Sequence, residues 1–217
     1  MSVQVFVSAP GVRTSRLRGV WRLLAACLVA AVCLTPAPAM AEKPMDAMKD
    51  FVGKVLDVLR DPAFKDGAMR QEQRNKLSAL ADDIFDWVEL SRRTLALNWN
   101  RLDSDQRRDF VELYKQLLER TYMDRIQDYK DEEVVFSGQS SLSDTQVEIQ
   151  TTVRSQGKNI PINYRLINRA DSWRIYDVQV EGVSLVQNYR TQFNNILASK
   201  SPDEMIEDLR RKVAEGA

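Results

Sequence analysis

The sequence predicts an α+β domain in which helices wrap the curved side of an antiparallel β-meander of about four strands. Three observations carry this expectation. Residues 44 to 128 repeat apolar side chains at three- and four-residue steps, the period of amphipathic helices. From about Glu133 to Val180 the period falls to two, as in strands with one apolar face. After Ser184 the helical period returns. A sheet with one apolar face must bury it under another layer, and the flanking helices supply that layer.

The first helix carries Met48, Phe51, Val52, Val55, Leu56 and Leu59 on one stripe and stops at Asp61-Pro62. A second helical region runs from about Met69, with Leu77, Leu80, Ile84, Phe85 and Val88 on its stripe. Asp103 and Gln106 have capping-box spacing ahead of a long helix whose buried face is Phe110, Leu113, Leu117, Tyr122 and Ile126. Val134 to Phe136 starts the meander. In 147–154 the odd positions are apolar or β-branched, and in 160–166 the even ones are apolar. Ser155 to Asn159, with Gly157, and Asn168 to Ser172 read as the turns. Pro161 has no ladder donor, which places it near a strand start or edge. The strand from Trp173 is irregular: Trp173 and Ile175 share one parity, Tyr176, Val178 and Val180 the other. Either a bulge switches faces there, or both faces are covered. Gly182 lets the chain turn, and Ser184 is the expected N-cap of a helix with Leu185, Val186, Tyr189, Phe193, Ile196 and Leu197 on its stripe. Ser201-Pro202-Asp203-Glu204 opens a last helix with Met205, Ile206, Leu209 and Val213 inward.

Residues 1–41 read as a cleaved signal peptide and 42–217 as a single domain. Arg13, Arg16, Arg18 and Arg22 form a basic n-region, and Leu23 to Leu34 is an apolar run too short for a spanning helix. Ala39-Met40-Ala41 supplies a small-x-small cleavage pattern, with Ala37-Pro38-Ala39 as the alternative site. Leu24-Ala25-Ala26-Cys27 resembles a lipoprotein box, but Arg22 leaves almost no h-region before Cys27. Both cysteines, Cys27 and Cys33, lie in this segment, so the mature domain is held by its core without disulfides. The chain balances 31 basic against 31 acidic side chains, and losing four arginines leaves a mildly acidic domain, which argues against a nucleic-acid partner.

The chain has no histidine. Histidine-based acid–base catalysis, Ser-His-Asp and Cys-His nucleophiles and the common zinc sites are therefore excluded. Its scattered glycines form no phosphate loop, and neither a cofactor nor a metal is expected. Two acidic clusters, Asp82, Asp83, Asp86 and Asp131, Glu132, Glu133, read as solvated surface rather than as a catalytic pair or calcium site. What remains is a helix-covered sheet rich in apolar side chains, and periodicity does not distinguish a packed core from a lipid pocket.

The segments FVELYKQLLERTYMDRIQDY (110–129), NYRLI (163–167), WRIYDVQVEGVSLVQNYRTQFNNIL (173–197) and the closing helix together resemble the MlaC phospholipid-binding proteins, also called the toluene-tolerance auxiliary family. The specific part is the strand-to-helix corner with Asp177, Glu181-Gly182-Val183-Ser184, Asn188-Tyr189-Arg190 and Gln192-Phe193. One departure is Leu97, where the resemblance implies a glycine near position 97, at a helix end. The resemblance implies an apolar cavity between sheet and helices and a periplasmic carrier of glycerophospholipids. Its implied partners are the MCE-domain subunit of an inner-membrane ABC transporter and an outer-membrane lipoprotein–porin complex.

On that reading the acyl chains are expected against the sheet positions Val147, Ile149, Val153, Ile162, Tyr164, Leu166, Ile175 and Val178. Phe110, Leu113, Leu117, Tyr189 and Phe193 are expected opposite them. A lipid phosphate could meet Arg190 or the N–H groups near Ser184, although Arg190 could instead pair with Asp177 or Glu181. Asp177, Glu181, Asn188, Arg190 and Gln192 are also candidates for a polar network bracing the corner. The alternative function is a periplasmic binding module for another amphiphile, such as a quinone or a hydrophobic solvent.

Overall fold

A computed structural model describes residues 43–64, 67, 69–128, 131–155, 157–170 and 172–215, which belong to one compact unit. The expected signal segment and its cleavage sites lie outside the described residues. Among the described residues there are six α-helices and five strands, an α+β fold around a curved antiparallel sheet. The helices are α1 (Pro44–Arg60), α2 (Arg70–Ile84), α3 (Trp87–Leu95), α4 (Ser104–Gln127), α5 (Leu185–Leu197) and α6 (Pro202–Glu215). The strands β1 (Glu133–Ser143), β2 (Gln146–Ser155), β3 (Lys158–Arg169), β4 (Ser172–Val180) and β5 (Val183–Ser184) lie side by side in chain order. The fifth strand, beyond the expected four, is the two-residue β5.

The local signals explain most boundaries. The Asp103 carboxylate accepts from the Asp105 and Gln106 N–H groups while the Gln106 side chain accepts from the Asp103 N–H, a complete capping box for α4. Ser201 and Glu204 reciprocate in the same way at α6. The ends of α1, α2 and α4 meet through buried amides: Gln127 donates to Gln73 and to the Arg70 carbonyl, and Gln73 donates to the Val58 carbonyl.

The stripe read through Phe85 and Val88 as one helical region is broken in the structure. Phe85 is extended, the Asp86 N–H donates to the Ile175 carbonyl of β4 at 2.9 Å, and the Asp86 carboxylate then caps α3 by accepting from the Glu89 N–H. Satisfying the open edge of β4 outweighs continuing the helix, and Val88 is left 56% exposed. Asp86 and Glu89 have capping-box spacing, which was the available sign of this break.

Helix α3 ends at Ala96, which takes φ 50° and ψ −122°. This is the helix end at which the resemblance implied a glycine, displaced by one residue from Leu97. An L-residue held at such a φ carries a cost of roughly 1–2 kcal/mol. Ala96→Gly is expected to stabilise the protein by about 1 kcal/mol, raising the melting temperature by roughly 2–4 °C in a thermal scan.

Pro161 lies where β3 outruns β4: it faces Thr152 on β2, while the β4 pairing begins at Ile162 with Val180. Glu181 and Gly182 both have positive φ between the paired Val180 and Val183, the signature of a two-residue type I′ hairpin.

The irregularity of β4 is a bulge, and both faces of the strand are also covered. Arg165 faces Asp177 and Leu166 faces Ile175, so Tyr176 is an extra residue. The bulge brings Trp173, Ile175, Val178 and Val180 onto one face, called inner here, across from Asn168, Leu166, Tyr164 and Ile162. Tyr176 turns outward, where its ring lies 3.9 Å from the Arg93 guanidinium of α3 and its hydroxyl donates to Gln146.

Candidate functional site

The inner face is assembled from the alternating apolar positions of adjacent strands. Val147 faces Leu166, Ile149 faces Tyr164, Thr151 faces Ile162, and Val153 faces Ile160. Val134 and Phe136 of β1 continue the rows beside Val153 and Thr151. Helix α1 covers this face. Met48 and Val52 pack with Val147, Ile149, Leu166 and Ile175 in one apolar cluster, and Met45, Phe51, Leu56, Phe136, Tyr164, Trp173 and Val178 border it. The inner-face positions of β2, β3 and β4 bear no carboxylate.

This surface is not sealed. Ile149, Leu166 and Ile175 are fully buried, but Val153, Ile162, Tyr164 and Val178 keep accessible surface on the same rows, as do Phe51 and Leu56 of the covering helix. In a close-packed interior such central apolar positions would be filled from both sides. Apolar neighbours crowd Tyr164, and the desolvation they impose pushes its phenol up to about 12. Its hydroxyl has no hydrogen-bond partner among the described residues. The other hydroxyl of this face, that of Thr151, donates to the Ile162 carbonyl at 2.7 Å.

A second apolar cluster is built by α3, α4, α5 and α6, and it is closed. Phe110 lies 5.1 Å from Phe193 and 5.5 Å from Tyr114, and Tyr114 lies 5.3 Å from Tyr189, mostly in edge-to-face contacts. Leu113, Leu117, Leu197 and Met205 fill the space around these rings. The Thr94 hydroxyl donates to the Tyr114 hydroxyl, and burial raises the Tyr114 pKa. The structure therefore divides the thirteen expected lining residues. Val147, Ile149, Val153, Ile162, Tyr164, Leu166, Ile175 and Val178 share the unsealed inner face, whereas Phe110, Leu113, Leu117, Tyr189 and Phe193 lie together in the helical core. Sequence reasoning placed no residue of α1 at the site. Its stripe of Met48, Phe51, Val52 and Leu56 carried the same apolar signal as every other helix.

The polar corner does structural work. Asp177, 2% exposed, accepts from the Ser184 hydroxyl at 2.7 Å and the Val186 N–H at 3.1 Å, with Arg165 at 3.6 Å. Ser184 in turn caps α5 by accepting from the Gln187 N–H. Arg190 is committed elsewhere: it pairs with neither Asp177 nor Glu181 but donates twice to the Arg93 carbonyl, in the last turn of α3. Glu181, Asn188 and Gln192 are exposed and stand outside this network. Arg190 and the N–H groups near Ser184 thus already have protein partners.

Four of the six acidic residues singled out from the sequence are engaged, Glu132 by Ser155 and Glu133 by Arg154. Asp82 accepts from the Trp87 indole and Lys115, and Asp86 caps α3 and pairs with Arg169. Among the described residues no group of three or more acidic side chains is placed to hold a metal ion, and no helix is long and apolar enough to cross a membrane.

Comparison with known proteins agrees with this architecture. Over 203 residues the chain is 18% identical to the intermembrane phospholipid transport system binding protein MlaC of Haemophilus influenzae, covering 90% of this chain and 94% of that protein. Its fold matches that of the phospholipid-binding protein from Ralstonia solanacearum, solved in complex with a phospholipid at 1.53 Å. The TM-score is 0.71 at 21% identity, over 78% of this chain and 96% of that one. The sequence model of the MlaC protein matches residues 49–211, from the second turn of α1 to the last turns of α6. The chain belongs to the MlaC family.

Proposed function

We propose that this protein is a periplasmic carrier that holds a glycerophospholipid with its acyl chains against the inner face of the sheet, beneath α1. The observation that carries this reading is the unsealed apolar surface at Val153, Ile162, Tyr164 and Val178. Family membership and the phospholipid bound by the Ralstonia protein support it. The helical core holds the fold, and the inner face holds the cargo.

Energetics restrict how such a carrier works. Each buried CH₂ is worth ~0.8 kcal/mol, so two chains of about sixteen carbons approach ~25 kcal/mol in a bilayer or in a protein. The carrier can only match the bilayer, so transfer is close to an exchange, and desorption through water is too slow to serve. Docking partners must shield the passage. The family relationship points to an outer-membrane lipoprotein–porin complex as one partner and the MCE-domain subunit of an inner-membrane ABC transporter as the other. Net direction then comes from relative affinities or from ATP hydrolysed by the transporter, and the carrier serves outer-membrane lipid asymmetry.

The test is lipid extraction of purified protein followed by mass spectrometry. Phospholipid is expected in the wild type. Val178→Glu and Ile162→Glu, at partly exposed inner-face positions, are expected to lower it several-fold while far-UV circular dichroism stays native. Unchanged lipid in both folded variants would reject this face as the cargo surface. Extracts rich in a quinone or solvent and poor in phospholipid would favour a carrier of another amphiphile.

A further inference from the structure

We infer that the Tyr164 hydroxyl is a polar reader inside the cargo space, donating a hydrogen bond to an acyl-ester carbonyl of the bound lipid. This rests on the carrier reading above and adds to it which part of the lipid is recognised and how deep it sits.

Three features converge on the residue. Tyr164 is central on the sheet, flanked by Ile149 on β2 and Val178 on β4, with Ile162 and Leu166 beside it on its own strand and face. Every one of those neighbours is apolar. Its side chain keeps accessible surface among these apolar neighbours, so it borders the unsealed space. Its hydroxyl has no partner among the described residues, whereas the neighbouring Thr151 hydroxyl is satisfied by the Ile162 carbonyl. Among the described residues this hydroxyl is not one of the sealed, unsatisfied groups, so it is open to that space, and phenylalanine would fill the same row without offering a donor there. The other polar groups suggested by the sequence, Arg190 and the N–H groups near Ser184, are already engaged.

The chemistry of the surroundings selects the acceptor. A phosphate at this depth would lose its hydration for a single neutral donor among aliphatic side chains, a losing exchange. An ester carbonyl is neutral, accepts one hydrogen bond readily and joins directly to the acyl chain. Placing it at Tyr164 sends the tails along the rows of β2, β3 and β4 and leaves the phosphate farther out toward solvent. The hydroxyl thereby distinguishes ester-linked lipids from ether-linked lipids of the same shape.

The experiment is competition between a diester phosphatidylglycerol and its diether analogue of equal chain length, each offered to the purified, delipidated protein. The wild type is expected to prefer the diester about fivefold, the factor one net neutral hydrogen bond supplies. Tyr164→Phe is expected to abolish that preference while retaining the diether, and to leave the melting temperature of the delipidated protein unchanged or higher. A wild type without ester preference, or a Tyr164→Phe variant that keeps it, overturns the inference and leaves the carrier reading standing. Binding of neither probe overturns the carrier reading, and this inference with it.

Discussion

Replacing Phe110 by alanine is expected to cost about 3–5 kcal/mol of folding stability, the largest single loss among the substitutions considered. Phe110 is fully buried, touches Tyr114 and Phe193, and stands among leucines that cannot collapse onto the vacated volume without moving α4 against α5. Each lost aromatic contact adds roughly 0.5–1.5 kcal/mol to the transfer term. Against a total of ~5–15 kcal/mol this is a large fraction. Urea denaturation should show it as a lower midpoint with an unchanged slope. The same measurement on Val178→Ala should register about 1 kcal/mol, because Val178 is already partly uncovered. The contrast separates two kinds of apolar residue that look alike in sequence. A small loss at Phe110 would mean that the helical cluster has room to spare and resembles the unsealed inner face.

The second large effect is expected at Glu89. This carboxylate is 3% exposed in the first turn of α3, where the helix N-terminus favours a negative charge. It accepts from Arg92 and Arg93 of its own helix and from Arg169 at the end of β3, so it ties the helical layer to the sheet. Burial would raise its pKa, but the hydrogen bonds and charges of Arg92 and Arg93 outweigh burial and hold it below its ordinary value of 4.5. Glu89→Gln keeps the shape, loses the charge and is expected to cost about 2–3 kcal/mol near neutral pH. Because the folded-state pKa is lowered, the stability this group supplies is complete above 4.5 and is lost as pH falls through the depressed value. Wild type and variant should therefore converge in acid, which urea midpoints measured from pH 7 down to pH 3 would reveal. Asp177 has the opposite sign. Burial outweighs its bonds to Ser184 and Val186 and the charge of Arg165, so its pKa is raised. Its share of stability is present below its ordinary 3.8 and is lost as pH rises through the raised value. An acid-limb change that disappears in Glu89→Gln is thus assigned to Glu89.

Much of the fold was legible because its signals are local. The capping residues Asp103, Ser184 and Ser201 announce α4, α5 and α6, and the two-residue alternation of 147–154 and 160–166 announces the meander. The hidden parts depend on partners distant in the chain. Phe85 continues a helical stripe and leaves it only because the edge of β4 needs a donor. Arg190 sits near two acids in sequence yet bonds a carbonyl of α3. For the site, periodicity identified which side of each strand is apolar. It could not say that Phe110 and Ile162, equally apolar, would be surrounded so differently, because the difference lies in what stands opposite.

The bulge at Tyr176 has a consequence beyond parity. A strand without it would run Trp173, Ile175, Val178, Val180 in plain alternation with one residue fewer, and the inner face would be the same. The additional residue is therefore surplus to the sheet and serves as a joint. It is the peg that the sheet offers to the helical layer, gripped by Arg93 on one side and Gln146 on the other. Shortening the chain by that one residue would leave both halves of the molecule recognisable and remove part of the joinery between them.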